Sequence, residues 1–220
     1  MVFNHEVLFI HLGKTGGMSV STYMRKTLKQ PVVDAVSEIE FKKIKKKRIV
    51  IIGKRHANFA EAEELLKIQR LNLDDFKLIF TIVRNPVDME LSHYKHLQKA
   101  HVINRLLKYP ELDRGRLAAS VMNFDEFAKT KITHFQGELS IFFNINGKRP
   151  KNMKIVRFEN LSTEVLEILR PFQVCTKSFP HKNKSDRDVN VSNLSNEAIM
   201  KIMNKYAWIY EQGFYPPLVK

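Results

Sequence analysis

The sequence predicts an α/β protein with a central parallel sheet flanked by helices on both faces. Two observations carry this. Four short apolar runs, at residues 7–11, 49–52, 78–83 and 153–156, have the length and β-branched content of buried strands. Segments with helical periodicity lie between them, and strands that alternate with helices build parallel sheets covered on both sides. The 220 residues suffice to bury about 70% of the unfolded surface in one core. No internal repeat, low-complexity tract or Pro/Gly/Ser-rich linker interrupts the chain, so residues 1–220 are expected to form a single domain.

Taken in order, the first strand (7–11) runs through a glycine-containing loop into a helix over residues 17–28. A second helix is expected over 60–68, between the strands at 49–52 and 78–83. The third opens at Asn85-Pro86, where Asn caps and Pro fits the first helical position. After the strand at 153–156, Ser162 or Thr163 is expected to cap a helix that ends at Leu169, because Pro171 cannot continue it. Ser195 caps the last, whose Ile199, Ile202, Met203 and Tyr206 recur at i, i+3, i+4 and i+7. Both of these later helices are expected to pack on the sheet.

The chain carries 37 Lys+Arg against 23 Asp+Glu, a formal charge of +14. That excess favours an anionic partner: nucleic acid, an acidic membrane surface, or a multiply charged ligand or substrate. Its densest cluster, residues 42–48, directly precedes an apolar strand and reads as a solvated face. One cysteine, Cys175, excludes an intrachain disulfide framework and a multi-cysteine zinc site, and is expected to be a buried small residue. No apolar run approaches the ~20 residues of a membrane span, and no secretion signal precedes residue 7. The expectation is a soluble protein of a reducing, cytoplasmic compartment, in which the sequons at Asn160, Asn183, Asn190 and Asn193 carry little weight.

Parallel sheets bind ligands in the loops at the carboxyl ends of their strands. After the first strand comes His11-Leu12-Gly13-Lys14-Thr15-Gly16-Gly17-Met18-Ser19. Glycines let backbone N–H groups approach an anion, the helix N-terminus adds positive potential, and Lys14 supplies a mobile charge. The loop is a phosphate or sulfate cradle, although not a standard P-loop, whose G-x-x-x-x-G-K-S/T pattern needs glycine where Leu8 stands. After the third strand, Arg84 precedes the helix and Ser92 lies two turns into it, near the face of Asp88, a pair suited to a second phosphate.

These residues resemble the sulfotransferases that use 3′-phosphoadenosine 5′-phosphosulfate (PAPS), in particular the carbohydrate branch with a P-K-T-G-G-T-S loop. Lys14-Thr15-Gly16-Gly17 match that loop, and Arg84 with Ser92 match the family's 3′-phosphate pair in type and spacing. Arg157-Phe158-Glu159-Asn160-Leu161 is similar to the family's R-Y/F-E-D-L segment, and residues 181–185 to its H-x-N-K-S loop near the cofactor. Gly13 replaces the usual Pro, Asn85 an Asp, and Met18 the hydroxyl residue that donates to the 5′-phosphate.

The resemblance implies a P-loop-like nucleotide-binding fold and sulfuryl transfer to an acceptor hydroxyl of a carbohydrate, such as a glycan, or of another hydroxylated metabolite. Lys14 would neutralise the phosphosulfate, amides of Thr15, Gly16, Gly17, Met18 and Ser19 would cradle it, Arg84 and Ser92 would hold the 3′-phosphate, and Lys184 and Ser185 would border the cofactor. No metal enters this scheme. A histidine is the natural base near neutral pH. His56-Ala57-Asn58-Phe59 resembles the family's G-H-x-x-F element, with Arg55 in place of Gly, and His56 follows a strand as Lys14 and Arg84 do. His11 is the reserve candidate, read first as a buried structural histidine. His93, His96 and His101 read as a solvated helix face. Residues 99–136 have no counterpart in these motifs and are expected to help shape the acceptor site. Two other classes stay open: an ATP-dependent kinase, for which no acidic metal-holding motif stands at a strand end, and a basic nucleic-acid-binding protein, for which no recognition motif is present.

Overall fold

A computed structural model describes residues 1–42, 44, 48–99, 114–133, 138–180 and 191–218. Among the described residues six strands form one sheet: β1 (Val2–Phe3), β2 (Val7–Phe9), β3 (Val33–Val36), β4 (Ile49–Ile52), β5 (Leu78–Val83) and β6 (Met153–Arg157). Their order is β4-β3-β1-β2-β5-β6. β2 pairs parallel with β5, β5 with β6, and β3 with β4; β1 alone is antiparallel to its neighbours β2 and β3. The chain therefore has the expected α/β class, with a mostly parallel sheet and one added antiparallel strand. Asn4 builds that addition: its Oδ1 accepts from the backbone N–H of Glu6 (3.0 Å) and Val7 (2.8 Å), turning β1 tightly into β2.

Alternate side chains of a strand face opposite sides of the sheet. On one side Val7, Phe9, Phe80 and Ile82 share a core with Val20, Tyr23 and Met24 of α1 (Gly17–Thr27) and with Val165 and Leu169 of a later helix, Leu161–Leu169. Leu8, Ile79 and Val83, on the other side, are also fully buried. The expectation of burial fails at residues 49–52. Among the described residues β4 is an edge strand beside β3, and Ile49 and Ile52 stand 52% and 54% exposed.

Local capping sets the helix starts. α2 (Glu38–Phe41), which the sequence reading lacked, opens on a reciprocal Ser37/Glu40 capping box. α3 (Phe59–Ile68) opens on a similar box between Asn58 and Glu61. In α4 (Pro86–Leu97) Asn85 Oδ1 accepts from Val87 N at 3.0 Å and Pro86 takes the first position, as expected. Arg114–Val121 and Phe124–Lys129 form α5 and α6, also unanticipated, the latter capped by Asn123. Neither Ser162 nor Thr163 caps α7 (Leu161–Leu169). A 3₁₀ turn at Phe158–Asn160 feeds directly into it, and Asn160 holds the cap position without a side-chain bond. α8 (Asn196–Lys205) does open on Ser195, whose Oγ accepts from Ala198 N. It packs on α6 and α4 rather than on the sheet. α9 (Ala207–Glu211) follows.

The described residues of Met1–Val83 and Gly137–Lys184 make one compact unit, containing the sheet; those of Arg84–Gln136 and Ser185–Lys220 make a second, helical one. The helical unit is built around a fully buried acid. Glu90 receives Lys205 Nζ and the Tyr206 hydroxyl (2.7 Å), tying α4 to α8 and its C-cap. The Tyr94 ring meets those of Phe124 and Phe127 at a tilt and its hydroxyl donates to Met122 O at 2.7 Å, and Asp125 accepts from the Ser195 hydroxyl at 3.0 Å. Burial beside Glu90 raises the Tyr206 hydroxyl pKa well above its usual value, so this network stays a neutral phenol donating to a carboxylate.

Candidate functional site

β2, β3, β4, β5 and β6 run the same way, so their carboxyl ends emerge along one edge of the sheet. The loop after β2 continues the pairing for one residue, Ile10 N donating to Phe80 O at 2.9 Å, then turns sharply. Lys14 takes φ 65° and Gly16 φ 77°. A left-handed lysine costs about 1 kcal/mol. Thr15 is fully buried and its hydroxyl closes the loop on itself, donating to Leu12 O at 2.7 Å. Gly16 caps α1 without a side-chain bond, and the first turn of α1 holds no acid. Its N-terminal potential is left for something other than the helix's own carboxylates.

Both glycines are required by their neighbours. A Cβ on Gly17 would lie 2.0 Å from Cδ2 and Nε2 of His11, and one on Gly16 would lie 2.8 Å from Leu161 Cδ2 and 2.9 Å from Phe158 Cε2. The residues after β6 that resemble a family segment thus form the wall against the glycine loop. Sequence reasoning had singled out that segment without a role for Phe158 or Leu161.

His11 is buried, and its Nδ1 has no hydrogen-bond partner among the described residues. Burial first, and the neighbouring His56 next, hold its pKa well below the usual 6.5. This is the structural histidine expected first. The ring of His56 meets it edge to face, with centroids 4.5 Å apart and planes at 69°. His56 Nδ1 lies 2.9 Å from His11 O. A carbonyl only accepts, so Nδ1 carries the proton and Nε2 is left with a lone pair. His56 is exposed at its surface edge, but desolvation on its inner side, helped by the N-terminal amine and Arg55, lowers its pKa to about 4 against the His11 carbonyl and Glu40, which raise it. At neutral pH both imidazoles are neutral.

Met18 and Ser19 complete the first turn of α1. Ser19 N donates to Gly16 O at 2.9 Å, and Ser19 is buried. Met18 Sδ accepts from Arg55 Nη1 at 3.4 Å. Arg55 in turn pairs with Glu40 at 2.8 Å, whereas Lys54 is drawn off to Glu61. Lys14, Thr15, Gly16, Gly17, Met18, Ser19 and His56 therefore belong to one unit, and His11, Gly17 and His56 are in sequential contact. Sequence reasoning missed Arg55 and Glu40 here; the available signal was the departure from glycine at position 55.

Arg84 and Ser92 belong to the helical unit. Arg84 is buried directly after β5, near enough to act electrostatically on Tyr206, and Ser92 is half-buried on α4, one turn beyond Asp88. Lys184 and Ser185 lie outside the described residues, as does His101. His93 is not on a solvated face: it is 6% exposed, its ring edge-on to Phe127 at 5.8 Å, because α4 packs this side on α6. Cys175 is exposed rather than buried, its Sγ donating to Lys26 O at 3.1 Å. Among the described residues no group of three His, Cys, Asp or Glu is placed to hold a metal, and no helix is long and apolar enough to cross a membrane.

No protein-family model matches the sequence and no curated protein matches it. Among solved structures the chain is similar to a sulfotransferase from Alicyclobacillus acidocaldarius, with 13% identity over 96% of this chain and 94% of that one, at a TM-score of 0.44. It is also similar to mouse sulfotransferase SULT7A1 complexed with PAP, with 16% identity and a TM-score of 0.41 over 91% of this chain and 63% of that one. The chain spans less than two thirds of the mouse protein's length.

Proposed function

We propose that the chain is a PAPS-dependent sulfotransferase acting, as a single sulfotransferase domain, on a hydroxyl acceptor of the glycan class in a reducing, cytoplasmic compartment. One observation carries this reading: a glycine loop at the carboxyl edge of a parallel sheet, with Lys14 beside an acid-free helix N-terminus and a neutral histidine pair whose inner ring, His11, packs against Gly17. The parts fit an anionic, phosphosulfate-bearing cofactor. The His11 ring fills the space that a Cβ on Gly17 would take, which fixes glycine at the turn into α1.

When bound, PAPS supplies a sulfuryl group whose bond to the 5′-phosphate breaks as one to the acceptor oxygen forms, leaving adenosine 3′,5′-bisphosphate (PAP). Lys14 holds the negative charge that gathers on the leaving phosphate, where a fixed cation contributes most. The amides from Thr15 to Ser19 orient the phosphosulfate. Arg84 and Ser92 hold the 3′-phosphate, and Lys184 and Ser185 border the nucleotide. His56 takes the acceptor proton at Nε2, the nitrogen its bond to His11 O leaves unprotonated. These roles need no metal. The helices of residues 114–129, within the stretch that has no motif counterpart, help to shape the acceptor site.

Incubation with sulfur-labelled PAPS and panels of glycans, phenols and alcohols tests the reading. Labelled glycan is the expected product, with a rate that falls as salt screens the basic surface. Transfer only to small neutral phenols rejects the glycan class, and no transfer to any hydroxyl together with no release of PAP rejects the activity.

A further inference from the structure

Arg55 is more than half buried, with its side chain 29% exposed, and reaches Met18 in the first turn of α1. Two of its N–H groups have protein acceptors among the described residues, the Met18 thioether and the Glu40 carboxylate. Neither explains the arginine. A thioether is a weak acceptor, and an ion pair as open as this one contributes little to stability. A cation at this end of α1 is moreover opposed by the helix dipole, and no acid in the first turn offsets it. Lys54, one residue earlier, is withdrawn to Glu61, so Arg55 is the cation that the loop before His56 presents to the glycine loop.

The sequence adds an independent coincidence. Of the residues that depart from the motifs this chain resembles, one removes a hydroxyl donor at position 18 and one introduces a guanidinium at position 55. They lie 37 residues apart and touch in the fold.

We infer that Arg55 is a cofactor-binding residue: its Nη1 leaves the Met18 sulfur to donate to an oxygen of the 5′-phosphosulfate end of the nucleotide, while Glu40 keeps hold of Nη2. Arg55 thereby replaces the donor that Met18 lacks. The exchange replaces a thioether, a weak acceptor, by an anionic oxygen, so that the guanidinium bonds an opposite charge. Glu40 is a positioning residue. This inference rests on the nucleotide reading above.

Equilibrium binding of two nucleotides tests it: PAP, which has a 5′-phosphate, and adenosine 3′-monophosphate, which has none. Arg55→Ala is expected to weaken PAP about ten- to hundredfold, the usual loss of a charge-assisted contact, and to leave adenosine 3′-monophosphate unchanged. Arg55→Gln, which keeps length and a donor but loses the charge, provides the same comparison should the alanine variant fold poorly; an unaltered melting temperature without ligand certifies either protein. Glu40→Gln is expected to weaken PAP less than either. Wild-type affinity for PAP in both arginine variants, or an equal loss for both nucleotides, overturns the inference while the nucleotide reading stands. Failure of the wild type to bind PAP overturns both.

Discussion

His56 has one ring nitrogen committed to the His11 carbonyl and the other available, and this division is the residue-scale basis of the proposed chemistry. His56→Ala is expected to lower turnover about 10²- to 10⁴-fold, the range for a positioned proton acceptor, with PAP affinity nearly unchanged. Its lowered pKa changes the expected pH profile. With the base titrating near 4 in the free enzyme, the acid limb of kcat/KM falls near pH 4 rather than near 6.5, and the variant lacks it. Stability follows the same sign. The unfolded histidine binds a proton near 6.5 and the folded one near 4, so its stabilising contribution is complete above about pH 6.5 and is lost as pH falls toward 4. Urea unfolding at pH 7.5, 5.5 and 4.5 reads this directly, and His56→Gln should be less steep across that window. The position of His56 was available from the sequence, because a strand and a short loop precede it. Its tautomer and pKa were not, because the first depends on the carbonyl of His11, 45 residues away, and the second on desolvation and on the N-terminal amine, which the fold brings close.

At the scale of elements, the junction of β2 and α1 carries the site. Gly17→Ala places a methyl into the His11 ring; the expected loss is about 1–3 kcal/mol, measured by denaturation, together with displacement of the His11–His56 pair. The cap of α4 gives a simpler expectation. Asn85→Ala should cost about 1 kcal/mol, because Asn85 Oδ1 satisfies Val87 N. Caps and turns formed by neighbouring residues were readable where the chemistry was local, as at Asn85-Pro86 and Ser195. They misled at Ser162, where a preceding 3₁₀ turn leaves no cap to make. β1 and β3 escaped for different reasons. β1 is two residues long and owes its turn to Asn4, and the apolar run of β3 is broken by Asp34, buried because Arg25 bonds it at 2.8 and 2.9 Å.

At the scale of the whole chain, the sheet-bearing unit holds the Lys14 loop and His56, and the helical unit holds Arg84 and Ser92. The strand-and-helix alternation announced the first. The second was not recognised as a unit of its own, because its core is made by pairs distant in sequence, above all Glu90 with Lys205 and Tyr206. Glu90→Ala leaves Lys205 nearly buried without its counter-charge, with side-chain exposures of 11% for Lys205 and 0% for Glu90, and the expected loss is about 3–5 kcal/mol by urea denaturation. The +14 charge draws many polyanions, so binding of an anion as such distinguishes little; the pattern of phosphates does. Thermal stabilisation compared across PAP, AMP, ATP with magnesium, and an oligonucleotide is therefore the most direct measurement. PAP at a hundredfold excess over its Kd is expected to add about 2.7 kcal/mol, AMP much less, and Arg84→Ala should erase most of that difference. Equal stabilisation by PAP and AMP, or a larger effect of ATP with magnesium or of the oligonucleotide, would contradict a site built for adenosine 3′,5′-bisphosphate.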